Sequence, residues 1–456
     1  MCAYYRLRRG LNIPLKGEAH LYMAPIEPSA LYAIKPADFP NVTPQLLVKE
    51  NDRVSAGSPL FADKHHPEVL FTAPVSGTVT ELVRGEKRKL LEIRIDPDWE
   101  NEALSFPVGA PEELTPQAIR DLLLQSGCWA YLRQRPYGII PAPDSQPKDV
   151  FISCFDSAPL APQYDFAYAE KADALAMGLR VMERLCAPDH IHLGVSDQTS
   201  EHSVFRQLKA NVHTFKGPHP AGNVGVQIHH VCPVGKGQTV WTLDPAGLSI
   251  IGSLFLTGTY DSVKPVAITG SSVQSPSYVW CHSGIQFTAF KPFLPTLVDN
   301  VRCISGNPLT GDNVGPNGFL GFYHQQVTFL PEGNVPELFG WAKPFRFRKF
   351  SASRTYLTYL APLLGKSAQF RLTTNLNGGV RAFVMTGEYA KVLPMAILPV
   401  YLLKAILAGD IDKMEALGIY EVVPEDFALC EFICPSKIEI QDIIRQGIQL
   451  MIKEMA

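Results

Sequence analysis

Two cysteines near the carboxyl terminus have a spacing that is typical of iron–sulfur proteins. The stretch LCEFICPSK, residues 429–437, contains Cys430 and the pair Cys434-Pro435, which match the second half of the motif C-x2-C-x2-C-x3-C-P. The first two cysteine positions of that motif are occupied here by Pro424 and Phe427. Two thiolates cannot hold a four-iron cluster, and no nearby His or Cys completes a tetrahedral zinc site. We therefore predict that both cysteines are small buried side chains, with no metal bound.

Lys64 is a second candidate for chemistry, because of the module in which it lies. Residues 44–95 consist of short β-branched runs separated by turn residues, a pattern of short strands. The sequence V-x3-D-x-V-x2-G-x2-L, followed by APVSGTV, resembles the barrel-sandwich hybrid of biotinyl and lipoyl domains. In the carrier proteins of that group an exposed lysine takes the cofactor. Lys64, in ADKHHPEV, lacks the flanking residues of a carrier lysine, so we expect it to be unmodified.

The composition of the chain excludes some classes of protein. The 456 residues are 46% hydrophobic and 19% charged, with a net charge of −3 and a pI of about 6.5. Proteins that bind nucleic acid are usually basic, so we predict no nucleic-acid partner. Nine scattered cysteines indicate reduced thiols rather than a disulfide framework.

Neither a signal peptide nor a membrane-spanning segment is predicted. The amino terminus, MCAYYRLRRGLNIPLKG, has no apolar core of the signal-peptide type. The most apolar stretch, residues 392–409, contains Pro394, Pro399 and Lys404, which favours a buried helix pair over a membrane span. We expect a soluble protein.

The chain is long enough for several domains, and its middle part has the pattern of an α/β fold. The apolar runs DVFISCF (149–155) and HIHLGVS (190–196) have strand length, and helical periodicity lies between them. This order predicts a βαβ unit with a parallel sheet. Together these patterns predict a multidomain α/β protein with four units: a barrel-sandwich hybrid at 1–105, an α/β domain at 106–255, a small β domain at 256–340 and a helical domain at 341–456.

The order of these parts resembles the NADH-binding flavoprotein of complex I and the C subunit of the Rnf complex. That resemblance implies a Rossmann-like flavin domain, a small β-grasp domain and a ferredoxin-like helical domain. The glycine-rich flavin loop of those proteins, whose small residues let a phosphate approach the backbone, corresponds here to LLLQSGCWAYLRQRPYG, with Gly127 followed by bulky residues. Of their acidic stretch only Asp156 remains. We predict that the flavin site and the cluster motif are both lost.

Over its whole length, the chain resembles the A subunit of the sodium-translocating NADH:quinone oxidoreductase. The resemblance rests on long strings that include RLRRGLNIPLKG (6–17), GPHPAGNVGVQIHHVCPVGKGQTVW (217–241), ISGNPLTGD (304–312) and TNLNGGVRAFVMTGEYAKVLPMAILPVYLLKAI (374–406). It implies a peripheral subunit on the cytoplasmic side of the bacterial inner membrane, in a complex that couples electron transfer from NADH to quinone with sodium export. The implied partners are the membrane subunits and the NADH-binding subunit, which carry the flavins and the iron–sulfur centre.

The resemblance further implies that this subunit has no redox centre or catalytic residue of its own, and that it helps to bind ubiquinone or menaquinone. A quinone ring needs an apolar, aromatic-lined slot with a few hydrogen-bond donors. At the position of the lost flavin loop, CWAYLRQRPYG offers both, and we predict a quinone site formed by Trp129, Tyr131, Arg133, Arg135 and Tyr137. The alternative is cation–π packing at the surface.

Two further clusters have both a functional and a structural interpretation. His219 and Asn223, in GPHPAGNVG, could border a ligand or simply form a turn. The basic and aromatic stretch WAKPFRFRKF, residues 341–350, could contact an anionic lipid surface or an acidic partner, or form an exposed strand. The adjacent pairs His65-His66 and His229-His230 would point to opposite faces of a strand and make poor metal ligands.

Three alternatives to the quinone-associated subunit stay open at this point. An Rnf-type subunit would retain flavin or clusters, a carrier protein would be modified at Lys64, and a purely structural scaffold would bind no quinone. The sequence also leaves open whether the quinone binds in this subunit or only in the membrane subunits.

Overall fold

The computed structural model describes residues 3–100, 102–295, 300–334, 340, 349–353 and 369–455. Within these ranges the chain forms four sheets and eleven α-helices. No helix among them is both long enough and apolar enough to cross a membrane.

The first part of the chain forms two small antiparallel sheets that share one core. After β1 (Tyr4–Arg6), the strands are β2 (Tyr32–Ile34), β3 (Pro44–Leu46), β4 (Arg53–Val54), β5 (Pro59–Asp63), β6 (Leu70–Thr72), β7 (Gly77–Arg84) and β8 (Leu90–Pro97). They are ordered β2-β8-β7-β4 and β3-β5-β6. Phe61 and Phe71 of one sheet, and Val79 and Ile93 of the other, are buried in the same cluster. The two sheets therefore share a common interior, and the first half of β7 shows the alternation of buried and exposed residues that a strand with one face in a core has.

The second part is an α/β unit. Its elements are α1 (Pro116–Gln125), β9 (Arg133–Arg135), β10 (Asp149–Ser153), α2 (Tyr164–Ala167), α3 (Ala172–Leu185), β11 (Ile191–Ser196), α4 (Val204–Gln207), β12 (Asn211–Lys216), α5 (Val224–Val231), β13 (Val240–Leu243) and α6 (Pro245–Thr257). The predicted βαβ unit is confirmed as β10, α3 and β11, because β10 and β11 pair in parallel. The sheet order is β1-β12-β11-β10-β13-β9, and only β9 is antiparallel to its neighbour.

The amino-terminal strand belongs to this sheet rather than to the antiparallel pair. Residue Tyr4 of β1 pairs with Thr214 of β12, in parallel. A strand at the start of the chain thus completes a sheet whose other strands come more than 100 residues later. The domain boundaries predicted from the sequence, after residues 105, 255 and 340, remain predictions.

Capping residues explain why α6 begins directly after β13. The side chain of Asp244 accepts a hydrogen bond from the backbone N–H of Gly247 at 2.7 Å, and Pro245 occupies the first turn. An acidic cap followed by proline is a strong helix start. At the other end, Gly258 adopts φ 73°, the left-handed conformation that glycine favours after a helix.

The third and fourth parts are a mixed sheet and a group of helices. The sheet has the order β15-β14-β18-β16-β17, with β14 (Val263–Thr269), β15 (Ser277–His282), β16 (Val301–Ser305), β17 (Asp312–Asn313) and β18 (Gln326–Pro331). The helices are α7 (Tyr389–Val392), α8 (Pro399–Ala408), α9 (Ile411–Ala416), α10 (Ala428–Phe432) and α11 (Ile440–Met455). The predicted helix pair within residues 392–409 is wrong, since α8 is the one helix that lies inside that segment. Residues 393–398, which contain Pro394, are not helical.

Candidate functional site

A cavity of about 900 Å³ lies where all four parts of the chain meet. Its floor is at the carboxyl ends of β10 and β13, where Ser153, Asp156, Thr242 and Asp244 border it. Residues 36–42 close one side, residues 306–326 a second, and α11 a third. The volume lies in the range typical of sites for small molecules and cofactors.

The cavity lies beside a reversal of strand order in the parallel sheet. From β10 the chain proceeds to β11 and β12 on one side, and then returns to β13 on the other side of β10. The strand order therefore reverses between β10 and β13. In open parallel sheets, ligands bind outside the carboxyl ends of the strands at such a reversal. The cavity occupies the place where this architecture binds ligands.

Two carboxylates lie at the floor of the cavity. Asp244 accepts a hydrogen bond from Gln325 Nε2 at 2.9 Å on Oδ2, while Oδ1 caps α6. Asp156 accepts a hydrogen bond from the backbone N–H of Ala158 at 2.8 Å. Burial raises the pKa of both carboxyl groups above the usual range of aspartate. Both retain lone pairs that could accept a hydrogen bond from a ligand.

Arg133 is the cation of the loop and strand that the sequence analysis singled out. Its guanidinium lies 5.2 Å from the centroid of the Tyr323 ring, and Nη2 donates to the Gly138 carbonyl at 3.2 Å. Its Nε is buried and has no hydrogen-bond partner among the described residues. Because an unsatisfied buried N–H is costly, Arg133 at the cavity wall is a donor that a ligand oxygen could satisfy.

Tyr131 and Tyr137 also border the cavity. Tyr131 packs on Phe322, with ring centroids 4.5 Å apart, and its hydroxyl lies 3.1 Å from that of Tyr260. Tyr137 is half-buried and meets the edge of Tyr420, with centroids 6.2 Å apart. The structure thus brings three of the five predicted quinone-site residues to one cavity, as one aromatic and cationic wall.

Trp129 lies behind this wall. Its side chain is 0% exposed, Nε1 donates to the Pro141 carbonyl at 2.8 Å, and its ring meets Trp241 edge-on at 5.3 Å. The Arg120 guanidinium lies 5.6 Å from the same ring. Trp129 does not border the cavity, and its contacts are those of a core residue that supports the loop.

Arg135 also lies away from the cavity, and its guanidinium is already paired. It is 3% exposed, with Nη2 2.8 Å from Glu425 Oε1 and Nη1 2.9 Å from Asp426 Oδ2. Glu425 and Asp426 precede α10 in the carboxyl-terminal helices. Arg135 therefore connects the parallel sheet to these helices.

His219 and Asn223 form both a turn and part of the cavity wall. His219 Nδ1 lies 3.1 Å from Ser157 Oγ, and Asn223 Nδ2 donates to the Glu425 carbonyl at 3.3 Å. Burial lowers the pKa of His219 to about 4. The imidazole is therefore neutral near pH 7 and provides no positive charge to a ligand.

The two cysteines of the degenerate cluster motif are buried, as predicted. The Tyr389 hydroxyl lies 3.0 Å from Cys434 Sγ, and burial raises the pKa of Cys430. A buried thiol with a raised pKa stays protonated and is a poor metal ligand. Over the described ranges, no three His, Cys, Asp or Glu side chains are grouped so that they could hold a metal ion.

The histidine pairs do not lie on strands, so their predicted placement on strands is wrong. His65 and His66 follow the end of β5, and His229 and His230 lie on α5. His229 Nδ1 lies 2.5 Å from Glu421 Oε2, and its Nε2 accepts from the Ala396 N–H at 3.0 Å. Lys64 is exposed in the β5–β6 loop, and most of the basic stretch at 341–350 lies outside the described residues.

Sequence reasoning missed most of the cavity lining, including the polar residues Asp244, Gln325 and Gln326. For Asp244 a signal existed, because an Asp-Pro pair before an apolar run is a helix start. For Gln325 and Gln326 no local signal exists. They reach the cavity because β18 pairs with β14, almost 60 residues earlier in the chain.

Comparison with known proteins identifies the family. Residues 5–98 match the NqrA N-terminal barrel-sandwich hybrid domain, residues 114–260 the NqrA second alpha/beta domain, and residues 265–315 the NQRA C-terminal domain. The barrel-sandwich prediction is thereby confirmed, within a multidomain α/β protein. Among solved structures, an NAD+-reducing nickel–iron hydrogenase is 14% identical, covering 75% of this chain and 64% of its own, with a TM-score of 0.38; that likeness is too weak to support an argument.

The full-length relatives agree with these domain matches. The A subunit of the Na(+)-translocating NADH-quinone reductase of Neisseria meningitidis serogroup A is 37% identical, covering 98% of this chain and 99% of its own. The same subunit of Vibrio atlanticus is 35% identical over the same shares, and that of Serratia proteamaculans is 37% identical over 96% and 97%. The chain therefore belongs to the NqrA family, the A subunits of the Na(+)-translocating NADH-quinone reductase.

Proposed function

We propose that this chain is a peripheral subunit, on the cytoplasmic side of the bacterial inner membrane, of a complex that couples electron transfer from NADH to quinone with sodium export. It carries no redox centre, and it binds the ring of ubiquinone or menaquinone in the cavity at the β10–β13 reversal. Its partners are the membrane subunits and the NADH-binding subunit, which carry the flavins and the iron–sulfur centre.

The observation that carries the quinone-binding proposal is the unpartnered Nε of Arg133 at the wall of the cavity. A quinone carbonyl is a hydrogen-bond acceptor and would satisfy this donor. Tyr131 and Tyr137 provide flat apolar surface on the same wall, as a ring requires. We assign ring binding to Tyr131, Arg133 and Tyr137, and a positioning role to Trp129 and Arg135.

The finer fold assignments belong to the same proposal. The parallel sheet with helices α3 and α6 is the remnant of a Rossmann-like flavin domain, β14–β18 form a β-grasp-like domain, and α7–α11 are a degenerate ferredoxin-like domain. Trp129 and Tyr131 closely follow Gly127, so a phosphate could not approach the backbone there as it does at a glycine-rich loop. This supports loss of the flavin and its replacement by a smaller ring.

Substitution of Arg133 tests quinone binding directly. Removing a charge-assisted hydrogen bond costs about 1.5–3 kcal/mol, so Arg133→Ala should weaken the binding of a short-chain ubiquinone to the purified chain by about 10- to 100-fold. Isothermal titration calorimetry measures this affinity. The matched control is Arg180→Ala, which removes an exposed arginine of α3 that pairs with Glu112 and does not border the cavity.

In the assembled complex, Arg133→Ala should lower the rate of quinone reduction at limiting quinone and leave NADH oxidation by an artificial acceptor unchanged. If Arg133→Ala binds quinone as tightly as the wild type, or if the wild-type chain binds none, the quinone site lies in another subunit.

The absence of a redox centre has its own test. We expect the chain, after gentle anaerobic purification, to show no visible absorbance band and to contain no stoichiometric iron, acid-labile sulfide or flavin. The reason is that Cys430 and Cys434 are two thiolates short of a cluster site. Iron, sulfide or flavin at near-equimolar amounts would instead support the Rnf-type alternative.

A further inference from the structure

Gln326 is a buried cavity residue whose carbonyl oxygen lacks a partner. The side chain is 3% exposed and borders the cavity. Its Nε2 donates to the Pro159 carbonyl at 3.4 Å, to Thr269 Oγ1 at 3.1 Å and to Thr328 Oγ1 at 3.0 Å. Its Oε1 is buried and has no hydrogen-bond partner among the described residues.

The orientation of this amide follows from its neighbours. A backbone carbonyl such as that of Pro159 can only accept a hydrogen bond. The hydroxyls of Thr269 and Thr328 already donate to the carbonyls of Val327 and Gly306, at 3.0 and 2.9 Å. All three neighbours therefore require the NH2 group on their side, and the unpartnered oxygen of Gln326 lies on the other side of the amide.

Asp156 is a second hydrogen-bond acceptor that borders the same cavity. It accepts from the Ala158 N–H at 2.8 Å, and a carboxylate has about four lone pairs. It lies three residues before Pro159, the residue that contacts Gln326. Two acceptors with free lone pairs, Gln326 and Asp156, thus border the cavity, as does the buried and unpartnered Nε of Arg133.

These unpartnered groups would form different hydrogen bonds with the oxidised and the reduced form of a quinone. An oxidised quinone has two carbonyl oxygens and can only accept, so it could satisfy Arg133 but not the unpartnered carbonyl oxygen of Gln326. A hydroquinone has two hydroxyl groups, and each can accept and donate. Resting on the proposed function, we infer that the cavity binds the hydroquinone in preference to the quinone, with Gln326 and Asp156 accepting hydrogen bonds from its hydroxyls.

The test is a comparison of two affinities for one ring. The full chain is titrated anaerobically with a short-chain ubiquinone and, separately, with the same compound reduced to its hydroquinone. We expect the hydroquinone to bind about 10-fold more tightly or better, since it donates a hydrogen bond to the amide oxygen of Gln326 that the quinone cannot make. Gln326→Met, close in size but without an acceptor, should weaken hydroquinone binding by about 2- to 10-fold and leave quinone binding unchanged.

Gln227→Met is the matched control. Gln227 is 1% exposed and its Oε1 is likewise unpartnered, but it does not border the cavity. Its NH2 group donates to Ser153 Oγ at 2.8 Å, so any effect of the substitution should fall on both affinities alike and leave the preference at its wild-type value. Asp156→Asn is a second, nearly isosteric variant, and it should reduce the preference because its amide can donate to a quinone carbonyl.

The outcomes separate this inference from the proposed function. Equal wild-type affinities for the two forms, or a full preference retained in folded Gln326→Met and Asp156→Asn, would overturn the inference and leave quinone binding in place. Binding of neither form would overturn both. A hydroquinone preference that falls in Gln326→Met or Asp156→Asn, but not in Gln227→Met, supports it.

Discussion

Replacing Arg135 by alanine is expected to destabilise the chain by about 3–5 kcal/mol, because it leaves a buried carboxylate without its partner. The side chain of Asp426 is 0% exposed, and its Oδ2 accepts from Arg135 at 2.9 Å and from the Val423 N–H at 3.0 Å. Its Oδ1 is already without a partner among the described residues. Loss of the guanidinium would therefore leave Asp426 either ionised in an apolar environment or protonated, and both cost free energy.

Urea unfolding of Arg135→Ala, followed by circular dichroism, measures this change. Arg133→Ala is the control, because Arg133 has the same side chain two residues earlier and makes no ion pair with Asp426. It should lose about 1 kcal/mol or less, the value of one ordinary hydrogen bond.

The double variant Arg135→Met/Asp426→Leu removes both charges and should be more stable than Arg135→Ala, since apolar residues can replace a buried ion pair. If Arg135→Ala unfolds at the same urea concentration as the wild type, the ion pair does not stabilise the docking of the carboxyl-terminal helices. If it also loses quinone affinity while remaining folded, Arg135 acts at the ligand rather than as a positioning residue.

Gly252→Ala is the second substitution with a large expected effect. It should lower the free energy of unfolding, whereas the same change in an exposed helix raises it. A Cβ atom at position 252 of α6 would lie 1.7 Å from the Ala174 carbonyl oxygen and 2.7 Å from the Gly178 nitrogen, both in α3. Gly178 has the reciprocal constraint, since its Cβ would lie 2.1 Å from the Leu248 carbonyl oxygen. The two helices are in backbone contact, so neither can yield by rotating a side chain.

We expect Gly252→Ala to destabilise the chain by about 1–3 kcal/mol or more, the cost of overpacking a close contact. In a solvent-exposed helix the same change would stabilise by about 1 kcal/mol. The control is Gly387→Ala, where an added Cβ has no atom within 4 Å, and whose effect should stay within about 0.5 kcal/mol. Thermal and urea unfolding compare the variants, and a Gly252→Ala protein as stable as the wild type would show that α3 and α6 are not in backbone contact.

Much of the fold was predictable because the relevant signals are local. The strands β10 and β11 follow from continuous apolar runs of strand length and the helix α3 from a hydrophobic period of 3.6 residues, and both signals can be read within a short window. The barrel-sandwich module follows from turn residues at strand spacing. Burial of Cys430 and Cys434 was predictable from the residues at 424 and 427, since a thiolate pair without two further ligands gains more from packing than from a metal.

For the candidate site, too, some features could be predicted from the sequence and others could not. The sequence by itself determined the family and indicated residues 128–138 as an aromatic and basic segment that could border a ligand. Which of these side chains reach a cavity was decided only by the tertiary structure. Arg133 and Arg135 are the same residue type on one strand, but Arg135 is neutralised by Asp426, 291 residues later, and Arg133 is left with an unpartnered N–H. Gln326 became a cavity residue because β18 pairs beside β14. Such pairings depend on which distant segments share a low-dielectric interior, where charges and hydrogen-bonding groups must find partners, and no local pattern in the chain encodes that choice.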